Sequence, residues 1–360
     1  MGEVSPRLRS MLGRLPAYAA GRPPSGSADL RPYKLSSNEN HHDPLPGVLG
    51  AITEAALAMN RYPDPASTAL VAELAERHGV PADHLALGTG SVGLLQQIVQ
   101  ITADAGDEVL YAWRSFEAYP IAADLTGAKT VRVPLRADAT HDLDAMAAAV
   151  TDRTRVILVC TPNNPTGPIV TAAGLDAFLD AVPSRVLVVV DEAYVEFVRA
   201  ADVAHGLDAL AARENVVVLR TFSKAYGLAG LRVGYAIARP AVAEAIRKAT
   251  PPFSVTDLAQ AAAVASLDSQ AELDKRVEAI VQERVAMLAA LRAQGWDVPQ
   301  AEGNFVWLPL GDDAMEFAAA CDPVSVRPFA GDGVRISVGA PDVNAEFVAL
   351  AAAWRAKRNL

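Results

Sequence analysis

Three apolar segments of the chain each end at polar side chains that a buried strand does not require. Segment 156–160 is followed by Asn164, segment 186–190 by Asp191 and Tyr194, and segment 216–219 by Lys224. Continuous apolar runs of this length are typical of strands that are buried on both faces. In an open α/β sheet, ligands bind outside the carboxyl ends of the strands. We therefore predict that these four side chains converge on one crevice.

The residue types in this set favour the chemistry of one cofactor. A partly desolvated Lys224 has a lowered pKa and can attack a carbonyl carbon as a neutral amine. Asp191, facing a pyridine nitrogen, would keep that nitrogen protonated and strengthen the ring as an electron sink. The amide of Asn164 and the hydroxyl of Tyr194 can both donate to a phenolate oxygen on the same ring. The set predicts a site for pyridoxal 5'-phosphate in which Lys224, Asp191 and Tyr194 are catalytic.

The phosphate of such a cofactor needs its own site. The glycine-rich turn 88–91 precedes a helical segment, so its backbone N–H groups can hold a phosphate at a helix N-terminus. Ser223 adds a hydroxyl, and Arg232, beyond two glycine turns, can close the site with a charge-assisted fork. One of the aromatic residues Trp113 and Phe116, which follow the segment 108–111, could stack on the cofactor ring.

Each of these residues alone has a simpler structural explanation. A lysine at a strand end is commonly a solvated surface residue, and Asp191 could cap a helix N-terminus. Residues 88–90 could form only a tight turn, and residues 164–167 also have good turn chemistry. Phe116 could be a core residue. The ordered set, with each polar group at the end of its own strand, favours the functional interpretation.

The apolar segments alternate with helical ones from about residue 67, which predicts a βαβ-type α/β fold with a largely parallel sheet flanked by helices. The predicted strands are 85–87, 108–111, 130–133, 156–160, 186–190, 216–219 and 234–238. Long helices are predicted at 258–266 and 271–293, followed by strands at 305–310, 324–327 and 333–338 and a closing helix at 341–354. This second part indicates a smaller α+β unit.

These patterns predict the domain organisation. Residues 1–35 form an N-terminal arm, with a flexible segment at 22–27, and residues 36–62 contribute to the small domain. Residues 63–245 form the large cofactor-binding domain, and residues 246–360 complete the small C-terminal domain.

Composition excludes several classes of function. The net charge of −10 argues against a nucleic-acid partner, which needs a basic footprint. Two cysteines do not make a disulfide framework, and the histidines lack metal-ligand spacing, so we predict no metal site. The sequence shows neither a secretory signal nor an apolar run long enough to span a membrane, which predicts a cytoplasmic protein without a membrane partner.

The motifs together resemble those of the fold-type I pyridoxal-phosphate aminotransferases. The family blocks that match are 163–167, 191–194 and the cofactor-lysine signature at 223–234. Within that family the chain is similar to the histidinol-phosphate aminotransferase group, through the blocks 35–40, 61–64 and 334–339. The resemblance begins near residue 30 and extends to the C-terminus.

The resemblance implies a role for each matched residue. Lys224 would carry the cofactor as a Schiff base and shuttle the proton, while Asp191 would pair with the ring nitrogen. The remaining cofactor contacts that it implies are Gly90, Ser91, Val92, Phe116, Asn164, Tyr194, Thr221, Ser223 and Arg232. Tyr62 would reach the phosphate of the neighbouring subunit, which implies a homodimer with shared sites. Asn38, Asn164, Arg327 and Arg335 would bind the substrate, with Arg335 contacting its anionic group.

The sequence departs from the commonest histidinol-phosphate pattern at 92–93 and 41–43, which bears on the substrate rather than the cofactor. The blocks 90–92 with 96–97, 113–116, 304–309 and 326–329 resemble the aromatic-amino-acid (phenylalanine) aminotransferase subgroup. The predicted reaction is therefore transamination between a phenylalanine-like amino acid and a 2-oxo acid such as 2-oxoglutarate.

Three alternatives stay open. The first is histidinol-phosphate transamination, in which Arg327 and Arg335 would bind a phosphate. The second is a pyridoxal-phosphate decarboxylase of similar fold. The third is a cofactor-sensing regulator, but regulators of that type carry an N-terminal DNA-binding domain.

Overall fold

The computed structural model describes residues 8–13, 15, 21 and 33–358, and the predicted flexible segment 22–27 lies outside this part of the chain. The helices are α1 Val48–Ala56, α2 Thr68–His78, α3 Gly90–Thr102, α4 Ala118–Thr126, α5 Leu143–Ala148, α6 Ala172–Ala181, α7 Gly206–Ala212, α8 Pro240–Ala249, α9 Asp257–Leu267, α10 Gln270–Ala293, α11 Ala314–Ala320 and α12 Pro341–Arg358. The strands are β1 Leu85–Gly88, β2 Glu108–Trp113, β3 Lys129–Pro134, β4 Thr154–Cys160, β5 Leu187–Asp191, β6 Val216–Thr221, β7 Gly234–Ala238, β8 Phe305–Leu308, β9 Arg327–Phe329 and β10 Gly333–Ser337.

The larger sheet has seven strands in the order β1-β7-β6-β5-β4-β2-β3. Strands β2 to β6 pair in parallel, and β7 runs antiparallel to both of its neighbours. The register aligns Cys160 with Asp191 and Asp191 with Leu219, so β4, β5 and β6 end at nearly the same level. The predicted α/β fold with a mostly parallel sheet is confirmed.

Both faces of the central strands are buried, as their continuous apolarity predicts. In β4, Ile157 and Val159 belong to one hydrophobic core, while Val156 and Leu158 belong to the core on the opposite face. The predicted burial on both faces was wrong for β3, in which Val133 is buried but Arg132 is exposed. This strand lies at the edge of the sheet, where helices cover it less completely.

Three helices of the structure, α5, α8 and α11, were missing from the sequence-based prediction. Helix α5 is only six residues long, and the side chain of Asp142 caps its N-terminus by accepting a hydrogen bond from the Ala145 amide. Helix α8 begins at Pro240, a residue that favours the first helical turn because it lacks an N–H group there. Helices α5 and α8 carry recognisable start signals, but neither has the long apolar period on which the prediction depended.

The smaller sheet has the order β8-β10-β9 with antiparallel pairing throughout. The predicted strand at 324–327 was misplaced, because the strand that pairs with β10 begins at Arg327. The preceding residues are extended but pair elsewhere: Ser325 bridges Lys34 in parallel, and the Leu35 amide donates to the Ser325 carbonyl at 2.8 Å. The chain near residue 34 thus joins this smaller sheet, although the domain boundaries stay a prediction.

Within the described part of the chain, no helix combines the length and apolarity needed to cross a membrane.

A buried ion pair ties the long helix α10 to the larger sheet. Arg284 is 2% exposed; its Nη1 donates to the carbonyls of Phe197 and Gly303 at 3.0 Å, and its Nη2 to Glu302 Oε2 at 3.1 Å. The same carboxylate oxygen accepts from the Arg199 amide at 2.8 Å. Because Phe197 lies just beyond β5, this cluster joins the helix to the strand that ends at Asp191.

We predict that Glu302→Gln lowers the free energy of unfolding by about 3 kcal/mol, because it leaves a buried guanidinium without its counter-charge. Glu278→Gln is the matched control, since Glu278 also pairs with an arginine, Arg199, but both side chains are largely exposed. That substitution should change stability by less than about 1 kcal/mol. Urea unfolding followed by circular dichroism measures both, and equal effects would contradict a structural role for the buried pair.

Candidate active site

A cavity lies at the carboxyl ends of β4, β5 and β6, opposite one face of the smaller sheet. Most of the predicted site residues line it, and they come from both sheets and from the loops between them. The predicted residues in its wall are Ser91, Val92, Phe116, Asn164, Asp191, Tyr194, Thr221, Ser223, Lys224, Arg232, Arg327 and Arg335. The sequence did not indicate that Gly21, Ser36, Ser37, Cys160, Ala193 and Ala229 also line it. The predicted convergence of strand-end side chains is thus present.

Lys224 is the amine of this cavity. Its Nζ donates to the carbonyls of Ser37 and Asn38 at 3.2 and 3.4 Å. The pKa of Lys224 is lowered to about 7, mainly by burial and secondarily by the nearby guanidinium of Arg335. At neutral pH a large fraction of this amine is therefore unprotonated and able to act as a nucleophile or a base.

Asp191 presents one satisfied and one unsatisfied carboxylate oxygen. Its Oδ2 accepts from the Tyr119 hydroxyl at 2.8 Å, whereas its buried Oδ1 has no hydrogen-bond partner among the described residues. Burial raises the pKa of Asp191 to about 6, and the Tyr119 hydrogen bond opposes that rise. A buried acceptor that faces a cavity without a partner is suited to a cationic donor on a ligand.

Tyr119, which lies in α4, was not predicted as a site residue. Tyr119 is fully buried in α4 and lies against Phe116, with ring centroids 5.7 Å apart. A buried tyrosine hydroxyl usually has a hydrogen-bond partner, which was the available signal, but nothing local to α4 identifies Asp191 as that partner.

Asn164 and Tyr194 are held by contacts from the smaller sheet and the segment before α1. Asn164 Oδ1 accepts from Arg335 Nη1 at 2.6 Å, and the Tyr194 hydroxyl accepts from Asn38 Nδ2 at 3.0 Å. Burial raises the pKa of Tyr194, which keeps its hydroxyl protonated and able to donate. Asn38 does not line the cavity; it is fully buried and is fixed in turn by hydrogen bonds with Ser337.

An anion-binding arrangement lies where α3 begins. Gly90 has a φ of 73°, and a Cβ atom at this position would overlap the guanidinium of Arg232. Gly90 therefore admits the arginine to the N-terminus of α3, next to Ser91 and Val92. Arg232 Nη1 donates to Ser223 Oγ at 3.2 Å and to the Ala229 carbonyl at 2.9 Å. A guanidinium, a hydroxyl and a helix N-terminus form a suitable site for a phosphate.

The two arginines that were predicted to bind the substrate lie side by side on the smaller sheet. Arg327 and Arg335 are direct cross-strand partners in β9 and β10, so both side chains project from the same face. Arg335 Nη2 donates to the Ser36 carbonyl at 2.8 Å, and Arg327 Nη2 donates to Glu117 Oε2 at 2.7 Å. Glu117 was not predicted as a site residue, and no sequence pattern links it to a strand so distant in the chain.

The two candidates for the stacking aromatic are distinguished by their positions. Phe116 lines the cavity, as predicted. Trp113 ends β2 outside the cavity wall, where its indole lies between the guanidiniums of Arg114 and Arg132, at 4.2 and 4.4 Å from its centroid. Of the two candidates, the structure therefore places Phe116, and not Trp113, in the cavity wall.

Tyr62 does not line the cavity of its own chain. Its side chain is 80% exposed and stacks on Phe253, which is 41% exposed, with ring centroids 4.5 Å apart. Leu57 and Met59, which precede it, are also strongly exposed. Exposed aromatic and aliphatic side chains grouped in this way are typical of an interaction surface.

Comparisons with known proteins identify the family. The sequence matches the family described as aminotransferase class I and II over residues 32–346. The chain belongs to this family. It is 56% identical over 357 residues to an aromatic amino acid aminotransferase of Streptomyces coelicolor, with 99% of each chain covered. It is also 56% identical over 356 residues to one of Thermobifida fusca, with 98% of each covered.

A solved structure shows the same fold. The histidinol-phosphate aminotransferase of Sinorhizobium meliloti, in complex with pyridoxal 5'-phosphate, superimposes with a TM-score of 0.85 at 29% identity, covering 98% of this chain and 97% of that one. The family depends on pyridoxal phosphate. The predicted family, enzyme class and fold type are confirmed, and the chain is an enzyme.

The low pKa of Lys224 can be measured directly. In cofactor-free protein, the rate at which a small amine-reactive reagent acetylates Lys224 should reach half of its maximum near pH 7, because only the neutral amine reacts. Arg335→Gln should move this midpoint to higher pH, since it removes a cation that disfavours the charged amine. Mass spectrometry of the labelled peptides gives the midpoint, with exposed Lys248 as the reactivity control in the same sample. An unchanged Lys224 midpoint would contradict the influence of Arg335.

Proposed function

We propose that this enzyme catalyses reversible, pyridoxal-phosphate-dependent transamination between an aromatic amino acid of the phenylalanine type and a 2-oxo acid such as 2-oxoglutarate. The observation that carries the cofactor assignment is Asp191 Oδ1, a buried acceptor without a partner in the same cavity as the low-pKa amine of Lys224. The substrate assignment is supported by the two relatives at 56% identity, both named aromatic amino acid aminotransferases.

The residues of the cavity fit the cofactor group by group. Asp191 Oδ1 would accept from the protonated ring nitrogen, and Asn164 and Tyr194 would contact the ring oxygen. Phe116 would lie against the ring, and Thr221 completes the wall of the cavity near the end of β6. Ser223, Arg232 and the backbone of Gly90, Ser91 and Val92 would hold the phosphate.

Lys224 would both retain the cofactor and move the proton. Pyridoxal phosphate supplies an electron sink for the pair left on the substrate when the Cα–H bond breaks. Lys224 Nζ would remove that proton as a general base and return it as a general acid, a role for which a pKa of about 7 is well matched. Asp191 favours the charged form of the ring nitrogen, and the Tyr119 hydrogen bond holds that carboxylate in place.

Arg335 would bind the α-carboxylate of the substrate with its planar fork. Because Arg335 already contacts Asn164, the substrate carboxylate would enter a site where guanidinium and amide are pre-positioned. A second candidate is histidinol phosphate, which is favoured by the presence of Arg327 beside Arg335 on one face of the sheet.

A substrate comparison tests the proposed function. With 2-oxoglutarate as acceptor, kcat/KM should be higher for phenylalanine than for histidinol phosphate. Lys224→Ala should lower kcat by about 10²–10⁴-fold or more, because the general base is lost. Lys248→Ala, at an exposed lysine of α8, is the matched control and should retain wild-type turnover. A clear preference for histidinol phosphate would overturn the substrate assignment, and turnover by Lys224→Ala would overturn the cofactor assignment.

We also propose that the enzyme is a homodimer in which Tyr62 of each chain completes the phosphate site of the other. The support is its position: Tyr62 is exposed within an apolar surface and does not line the cavity of its own chain. A symmetric dimer that buries this surface would bring the hydroxyl to the partner's cavity.

Heterodimers test this sharing. A Lys224→Ala chain paired with a Tyr62→Phe chain should regain activity, because one of the sites then has both groups. The matched control pairs a wild-type chain with a chain that carries both substitutions, which leaves no complete site. Turnover of purified, differently tagged heterodimers distinguishes the two arrangements. If the control is the more active one, Tyr62 acts within its own chain.

A further inference from the structure

We propose that Glu117 is a specificity-determining residue, because its carboxylate neutralises Arg327 in the substrate cavity and so favours uncharged over anionic substrate side chains. This inference rests on the proposed function, since it concerns which amino acids that site accepts. Glu117 is not itself part of the cavity wall, so it would act through Arg327.

The ion pair is close and largely shielded from solvent. Arg327 Nη2 lies 2.7 Å from Glu117 Oε2, and the side chains are 9% and 28% exposed. A short charge-assisted hydrogen bond in such a setting is stronger than one between exposed groups. The chain fixes both partners: Arg327 lies in β9, and Glu117 directly precedes α4.

The two substrate arginines differ in what they contact. Arg335 donates to neutral acceptors, the amide oxygen of Asn164 and the carbonyl of Ser36, whereas Arg327 donates to a carboxylate. The cross-strand pairing places both arginines on one face of the sheet. One arginine is therefore suited to the α-carboxylate common to all substrates, and the other is matched to a carboxylate that the protein itself supplies.

The surroundings of the ion pair are aromatic. The ring centroid of Phe329 lies 5.5 Å from Arg327 Cζ and 5.9 Å from Arg335 Cζ, and Phe116, next to Glu117 in sequence, lines the cavity. A phenyl group entering here gains from apolar burial and disturbs no ion pair. A phosphate, or the distal carboxylate of a substrate such as 2-oxoglutarate, would bind Arg327 only by displacing Glu117 from it, which weakens the binding of anionic side chains relative to a phenyl group without preventing it.

Binding of unreactive substrate analogues tests the inference on the cofactor-loaded enzyme. Glutarate and 3-phenylpropionate share one carboxylate and differ at the other end, where one has an anion and the other a phenyl ring. We expect Glu117→Gln to shift the ratio of their Kd values about tenfold or more in favour of glutarate, because Arg327 becomes available to the second carboxylate. Isothermal titration calorimetry measures both values without turnover.

Asp332→Asn is the matched control. Asp332 accepts from Arg114 Nε at 2.9 Å, so the substitution removes the same charge from a carboxylate–arginine pair, but Arg114 does not line the cavity. The Kd ratio should stay at its wild-type value in this variant. An equal shift in both variants would mean that net charge, rather than the Glu117–Arg327 pair, sets the preference, and would overturn the inference.

Two further measurements make the result decisive. Adding Arg327→Met to Glu117→Gln should abolish the gain for glutarate, and retention of the gain would contradict the inference. Single-turnover half-reactions with phenylalanine, glutamate and histidinol phosphate should show the same change in preference as the analogues. A wild-type enzyme that favours histidinol phosphate would refute the proposed substrate, whereas an unchanged Kd ratio in Glu117→Gln would refute only the role of Glu117.

Discussion

The guanidinium of Arg335 connects the three parts of the chain that form the cavity. From β10 it reaches Asn164, beyond the end of β4, and the carbonyl of Ser36, in the segment before α1. That segment continues into the carbonyls that accept from Lys224 and into Asn38, which donates to Tyr194. One connected set of hydrogen bonds therefore positions Lys224, Asn164, Tyr194 and Arg335, and a shift of the smaller sheet would disturb all of them.

Burial shifts the pKa values of the two central ionisable groups of this cavity in opposite directions. It lowers the pKa of Lys224 to about 7 and raises that of Asp191 to about 6, because it disfavours the charged form of each. A cation on a ligand opposite Asp191 would relieve the cost of desolvating that carboxylate, and an anion on the same ligand could pair with the exposed Arg232. The site thus has a charge pattern that is complementary to a zwitterionic cofactor, which would offset the cost of burying Asp191.

The sequence was sufficient for the parts of the structure that depend on local pattern. Continuous apolar runs located the central strands, and the polar residues that follow those strands located Lys224, Asp191 and Asn164. Contacts between residues distant in sequence were not predictable in this way. Tyr119 and Asp191 are separated by 72 positions, and Glu117 and Arg327 by 210. The strand predicted at 324–327 was misplaced for the same reason, since its residue pattern does not specify which of its residues pair with β10.

The groups proposed to hold the cofactor and the arginines proposed to bind the substrate lie on different sheets. Lys224, Asp191 and Arg232 are held by the larger sheet and its loops, whereas Arg327 and Arg335 belong to one antiparallel strand pair of the smaller sheet. Relatives named for aromatic amino acids and a structural neighbour named for histidinol phosphate share this fold. Under this proposal, a change of substrate within the family can arise at the ion pair of Arg327 with Glu117, which precedes α4, because the counter-ion of a single arginine changes the charge that an incoming side chain meets. The cofactor site can stay constant, because none of its contacts passes through β9.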